Sequence, residues 1–132
     1  MDRAFHVTRW IFGLWFFGAG VEYFLPWDLQ PLGEVPAARA FTLALIDSGV
    51  FAVVKILEAI IGLCILANRW VLPAALAALP ITFVISWWNV VLEGTTVPIL
   101  FGIVTPLFNA VLLWPFRHLL CPMLAAKPEH RF

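Results

Sequence analysis

The run from Val50 to Asn68, VFAVVKILEAIIGLCILAN, constrains this chain most, because it is apolar and long enough to cross a bilayer yet holds Lys55 and Glu58 inside it. Near the centre of a membrane helix each charge costs roughly 2.5 to 3.5 kcal/mol, while each Leu, Ile, Val or Phe returns only about 0.3 to 0.6. The eleven such residues in the run therefore do little more than offset the two charges. Insertion then depends on the charges finding partners. A spacing of i, i+3 sets Lys55 and Glu58 on one helix face, where they can pair with each other and look into a bundle.

The rest of the chain fits a membrane setting. Of 132 residues, 63% are hydrophobic and 12% charged, outside the range of soluble domains. One integral membrane domain over 1–132 is the resulting expectation. With no net charge and no cluster of Lys and Arg, nucleic acid is excluded as a partner. Cys64 and Cys121 lie far apart, with neither a CxxC pair nor the neighbouring ligands of a metal site, so no metal is expected and the paired-cysteine chemistry of four-helix disulfide-forming membrane enzymes is disfavoured. His6, His118 and His130 fall outside the apolar runs and are not placed as haem ligands.

Four spans are expected, over about 7–25, 50–68, 70–92 and 98–116, which makes the fold class all-α, an integral membrane four-helix bundle. Each run approaches the roughly 20 residues that a bilayer core requires. Arg3 and Arg9 before an apolar stretch ending in Gly18, Ala19 and Gly20 have the outline of a leader, but the stretch reads as a retained first helix. Pro26 to Pro36 is a loop, and 37–46 is a short amphipathic helix between spans 1 and 2, lying over the bundle mouth. Pro80 predicts a kink near Ala77, Pro106 predicts a second broken ladder, and Glu93 opens a short outer loop. The tail 117–132 is expected to be cytoplasmic and partly disordered. Arg3, Arg9, Arg69, Arg117, Lys127 and Arg131 fall on one side and Arg39 alone on the other, so the positive-inside rule puts both termini in the cytoplasm.

Several polar residues share the outer half of these spans. At about 1.5 Å per residue, Glu22 lies about 5 Å deep, Lys55 about 8 Å and Glu58 about 12 Å, with Ser86, Asn89 and Thr105 nearby. Thr82, Ser86, Asn89 and Glu93 recur as one stripe, while Gly102, Thr105 and Asn109 share a face of the fourth span. Glu22, Lys55, Glu58, Ser86, Trp88, Asn89, Thr105 and Asn109 are therefore the candidate ligand or polar-cluster residues. They read first as a structural ion pair with interhelical hydrogen bonds, next as a cavity for a ligand or partner, and last as a proton-coupled path. Trp87 and Trp88 read as interface anchors or as a stacking surface for a quinone.

Four stretches, RWIFGLWFFGAGVEYFLP, VKILEAIIGLCILANR, LPITFVISWWNVVLEG and LFNAVLLWPFR, carry a resemblance over nearly the whole chain. It resembles the DoxX-like family of small four-helix bacterial membrane proteins. The resemblance implies a location in the bacterial cytoplasmic membrane and, for some members, a place in redox assemblies such as thiosulfate:quinone oxidoreductase. The family's second-span glutamate matches Glu58 and the small residue a turn later matches Gly62. Relatives often carry histidine where this chain has Trp88 and Asn89, and lysine where it has Glu22. No catalytic constellation is present. The expected function is an accessory or partner-binding subunit of a membrane redox assembly, with other membrane subunits or a second copy as partner and a quinone as the one candidate cofactor. The alternative is a small proton-coupled transporter or multidrug exporter using a buried glutamate.

Overall fold

A computed structural model describes residues 1–126, all of whose regular structure is helical. Lys127, His130 and Arg131, with the end of the expected tail, lie outside the described residues. Helix α1 covers Asp2–Glu22, α2 Pro36–Asp47, α3 Val50–Leu66, α4 Val71–Trp87, α5 Thr96–Leu113 and α6 Arg117–Met123. A π-helical segment, Trp88–Glu93, continues α4, and a 3₁₀ turn, Trp114–Phe116, joins α5 to α6. Helices α1, α3, α4 and α5 pack in sequence around a ring that α1 closes against α5, and α2 packs on α3 and on the π segment.

Two helices are long and apolar enough to cross a membrane: α4 with its π continuation, Val71–Glu93, and α5 with its continuations, Thr96–Met123. By the same standard α2 and α3 qualify only as a pair bent by 86°. The expected set of four spans is thus two on length and composition. Helix α3 is only 17 residues long and contains the charged pair. Helix α1 carries Asp2, Arg3, His6 and Arg9 in its first half.

Other boundaries also moved. Helix α1 starts at Asp2 rather than near Val7, because polar side chains do not stop a helix and no Pro or Gly precedes Gly13. It ends at Glu22, and the chain tightens through i→i+3 bonds from the Phe24 and Leu25 amides before Pro26. Where the tail was expected to loosen, Pro115 sits in the first turn of the 3₁₀ segment, where a missing N–H costs nothing, and the chain re-enters a helix at Arg117.

The core is Phe12 and Phe16 of α1, Ile61 and Ile65 of α3, Ala74, Ala75, Ala78 and Ile81 of α4, and Leu112 of α5. Phe12 and Phe16 stack at 4.3 Å between ring centroids. Helices α1 and α3 make the closest approach: a Cβ on Gly62 would run into the backbone of Phe17 and Gly13. Only glycine lets the two backbones meet there. Between α2 and α3 the turn rests on Gly49 at φ +80°, a left-handed conformation that sends α3 away at a steep angle from α2.

Candidate functional site

Helix α2 packs on α3 and on the π segment, and between it and the ring of helices is a cavity of about 550 Å³. Its wall is largely apolar, with Trp15 and Phe16 from α1, Phe51 and Val54 from α3, Ile81 and Val84 from α4, and Phe41 and Leu45 from α2. Five of the eight candidate polar residues line it: Glu22, Lys55, Glu58, Trp88 and Asn89. Ser86, Thr105 and Asn109 do not.

On the α3 wall the Lys55 ammonium donates to Glu58 Oε2 at 3.0 Å, with 7% and 4% of the two residues exposed. One helical turn back, the Phe51 ring lies 5.0 Å from Lys55 Nζ, adding a cation–π contact to the ion pair. Both charges are deeply buried, so each depends on the other for compensation. Glu22, at the end of α1, is not part of this pair. Its Oε2 is buried without a hydrogen-bond partner. It also lines a second, smaller cavity of about 330 Å³, a vestibule formed with Tyr23, Asp28 and Gln30, so Glu22 borders both spaces.

The polar stripe expected along α4 divides. Thr82 donates its hydroxyl to Asn109 Oδ1 at 2.9 Å, and Asn109 Nδ2 donates to the Ala75 carbonyl at 3.0 Å, forming a buried seam between α4 and α5. Thr105 is buried too, its hydroxyl donating to the Phe101 carbonyl. Ser86 Oγ is buried without a partner. The reason for the division is the π segment, in which the Gly94 amide reaches back five residues to the Asn89 carbonyl. The wider turn accumulates toward the end of the segment and rotates Glu93 away from the line of Thr82 and Ser86. Asn89 points its amide at the Ile85 carbonyl, 2.7 Å away, at the cavity wall.

Glu93 is not the opening residue of an outer loop. It is 6% exposed, and its carboxylate accepts from the Glu34 amide at 3.1 and 3.2 Å and from the Val35 amide at 3.3 Å. Val35 is the N-cap of α2, so a distant carboxylate caps that helix and complements its dipole. Trp88, at the other end of the π segment, donates its indole N–H to Thr42 Oγ1 at 2.9 Å and to the Ala38 carbonyl at 3.2 Å. The π segment therefore fastens α2 over the cavity at two points. Trp88 thus ties down α2 through its indole N–H while its side chain lines the cavity. Trp87 is half exposed and stacks on Phe83.

Two contributors escape sequence reasoning. Arg9, expected as an interface anchor, is 7% exposed and donates from Nη1 to the Ile65 and Leu66 carbonyls at 3.1 and 2.7 Å, capping the C-terminus of α3. Thr42, the acceptor for Trp88, faces the cavity from α2. Neither has a local signal, because each depends on which helix end lies alongside. Among the described residues no three His, Cys, Asp or Glu side chains come together as a metal set. No protein-family model matches the chain, and comparison with curated proteins and solved structures found no match.

Proposed function

We propose that this chain is an integral membrane protein in which α1, α3, α4 with its π segment, and α5 span the bacterial cytoplasmic membrane as a four-helix bundle with both termini inside. In this reading α2 lies at the outer mouth and the cavity beneath it takes an apolar ligand from the bilayer. The observation that carries the reading is the cavity itself: about 550 Å³, walled by aromatic and aliphatic side chains, with a few polar groups converging on it. That is the size and chemistry of a small-molecule site. The exposed apolar side chains on every helix of the ring, such as Leu14, Ile60, Phe83 and Ile103, suit contact with lipid.

The proposed role is that of an accessory subunit of a membrane redox assembly, with a quinone as ligand. Support for a quinone is the spare N–H capacity of Lys55, which uses one donor on Glu58 and can offer another to a carbonyl oxygen inside the cavity. Against the exporter reading stands the same pair, since a carboxylate held at 3.0 Å by a lysine of its own helix is poorly free to exchange a proton for a cargo cation. Purification in mild detergent, followed by mass spectrometry of co-purifying proteins and lipid extracts, tests the proposal. A quinone at near-equal stoichiometry with a membrane partner is the expected result. A clean monomer without any lipid-soluble compound would count against it.

A further inference from the structure

The cavity wall holds few polar groups, and most of them already have a partner. The Trp88 indole is committed to Thr42 and Ala38, the Asn89 amide to Ile85, and Lys55 to Glu58. Among the fully buried polar side-chain atoms of the described residues that line the cavity, one has no partner: Glu22 Oε2, on a residue that borders both the vestibule and the cavity. The formal charges on the cavity wall point the same way. Among the described residues, Glu22, Lys55 and Glu58 are its only charged ones, two negative and one positive, and the positive one is paired with Glu58. One negative charge is left over at Glu22. Asp28, on the vestibule side, adds a second carboxylate along the approach, and among the described residues no Lys or Arg other than Lys55 lines either space.

Around that charge the wall is aromatic. Trp15, Phe16, Phe41, Phe51, Trp88 and Phe101 all line the cavity, and Trp15 and Phe101 lie 5.8 Å apart. Ring faces attract organic cations, most strongly where water is excluded, and an apolar wall carrying one uncompensated carboxylate complements an apolar body bearing one positive charge. We propose that the cavity is a binding site for a lipophilic organic monocation, its charged centre held by Glu22, which borders the vestibule as well, and its apolar body lying among these rings. The inference rests on the cavity being a ligand site and not on the redox partnership or the quinone. The two ligand classes address different groups, a quinone carbonyl Lys55 and a cation Glu22.

Equilibrium binding of radiolabelled tetraphenylphosphonium to the full chain in lipid nanodiscs, corrected with empty discs, tests the proposal, with uncharged triphenylphosphine oxide as the neutral probe of similar shape and decylquinone as a third ligand. In the unaltered protein the cation should bind at least about tenfold more tightly than the neutral probe, as expected for one desolvated charge contact. Glu22→Gln should remove most of that preference by weakening the cation alone, and Glu22→Asp, which keeps the charge, should retain it. Thermal melts identify any variant that has lost its fold, and the comparison of charged and neutral probes on the unaltered protein decides the matter even then. Equal binding of the two probes, or a cation affinity indifferent to Glu22→Gln in a folded variant, overturns the proposal. Binding of decylquinone without the cation overturns it while leaving the cavity as a ligand site. Binding of none of the three removes both.

Discussion

Lys55 and Glu58 illustrate what a single pair decides. Their 3.0 Å contact is buried on both sides, so removing one partner strands the other in an apolar wall. Lys55→Met should therefore destabilise the protein by about 3 to 5 kcal/mol, read as a fall in melting temperature in detergent, whereas adding Glu58→Gln should recover much of the loss. Adding Glu22→Gln to Lys55→Met should recover little, since Glu22 lies outside the pair. Equal rescue by both second changes would show the three groups to be one interchangeable cluster. The i, i+3 spacing made the pair visible in the sequence. Nothing local showed that Glu22, expected beside them, would be left with an unpartnered oxygen at the mouth.

At the scale of elements, two contacts hold α2 in place, and they separate experimentally from the packing of α1 on α3. Glu93→Ala deprives the Glu34 and Val35 amides of their acceptor and uncaps α2. Hydrogen exchange should then quicken at residues 34–47 while α3 around Lys55 stays protected; uniform loosening would mean that Glu93 supports the whole fold rather than the cover of the cavity. Glycines give the contrasting case. Gly62→Ala pushes a methyl into the Phe17 and Gly13 backbone and should cost about 1 to 3 kcal/mol or more, whereas Gly18→Ala meets nothing within 4 Å and should be neutral to mildly stabilising. A melt series in which the two variants behave alike would refute the close α1–α3 approach. The length of the apolar runs announced these helices, but the π segment had no such signal: its wider turn accompanies the fit of Trp88 and Glu93 against α2.

For the molecule as a whole, the testable property is orientation. The described basic residues Arg3, Arg9, Arg69 and Arg117 all lie at one end of the expected spans, and Arg39 alone lies at the other, which favours a cytoplasmic location for the former. In a chain with Cys64 and Cys121 replaced, a cysteine at the exposed position 34 should react with an impermeant maleimide in intact cells, and one at exposed position 117 only after lysis. The reverse pattern would invert the topology, and with it the side from which the vestibule opens.

The sequence by itself determined the all-helical class, the approximate course of each apolar run, the position of the loop before α2 and the face shared by Lys55 and Glu58. These follow from composition and from periodicities of three to four residues, which act over a single helix. By length and composition two helices can cross a membrane where four spans were expected, since α3 closes after 17 residues and α1 carries Asp2, Arg3, His6 and Arg9 in its first half. Only the tertiary structure decided which helix ends lie side by side, and so made Arg9 the cap of α3, Glu93 the cap of α2, and Thr82 the partner of Asn109 rather than of the cavity. Hydrogen bonds between residues more than 25 positions apart depend on helix register and rotation, and along one polar stripe they took Thr82 to Asn109 and Glu93, at the end of the π segment, to the start of α2.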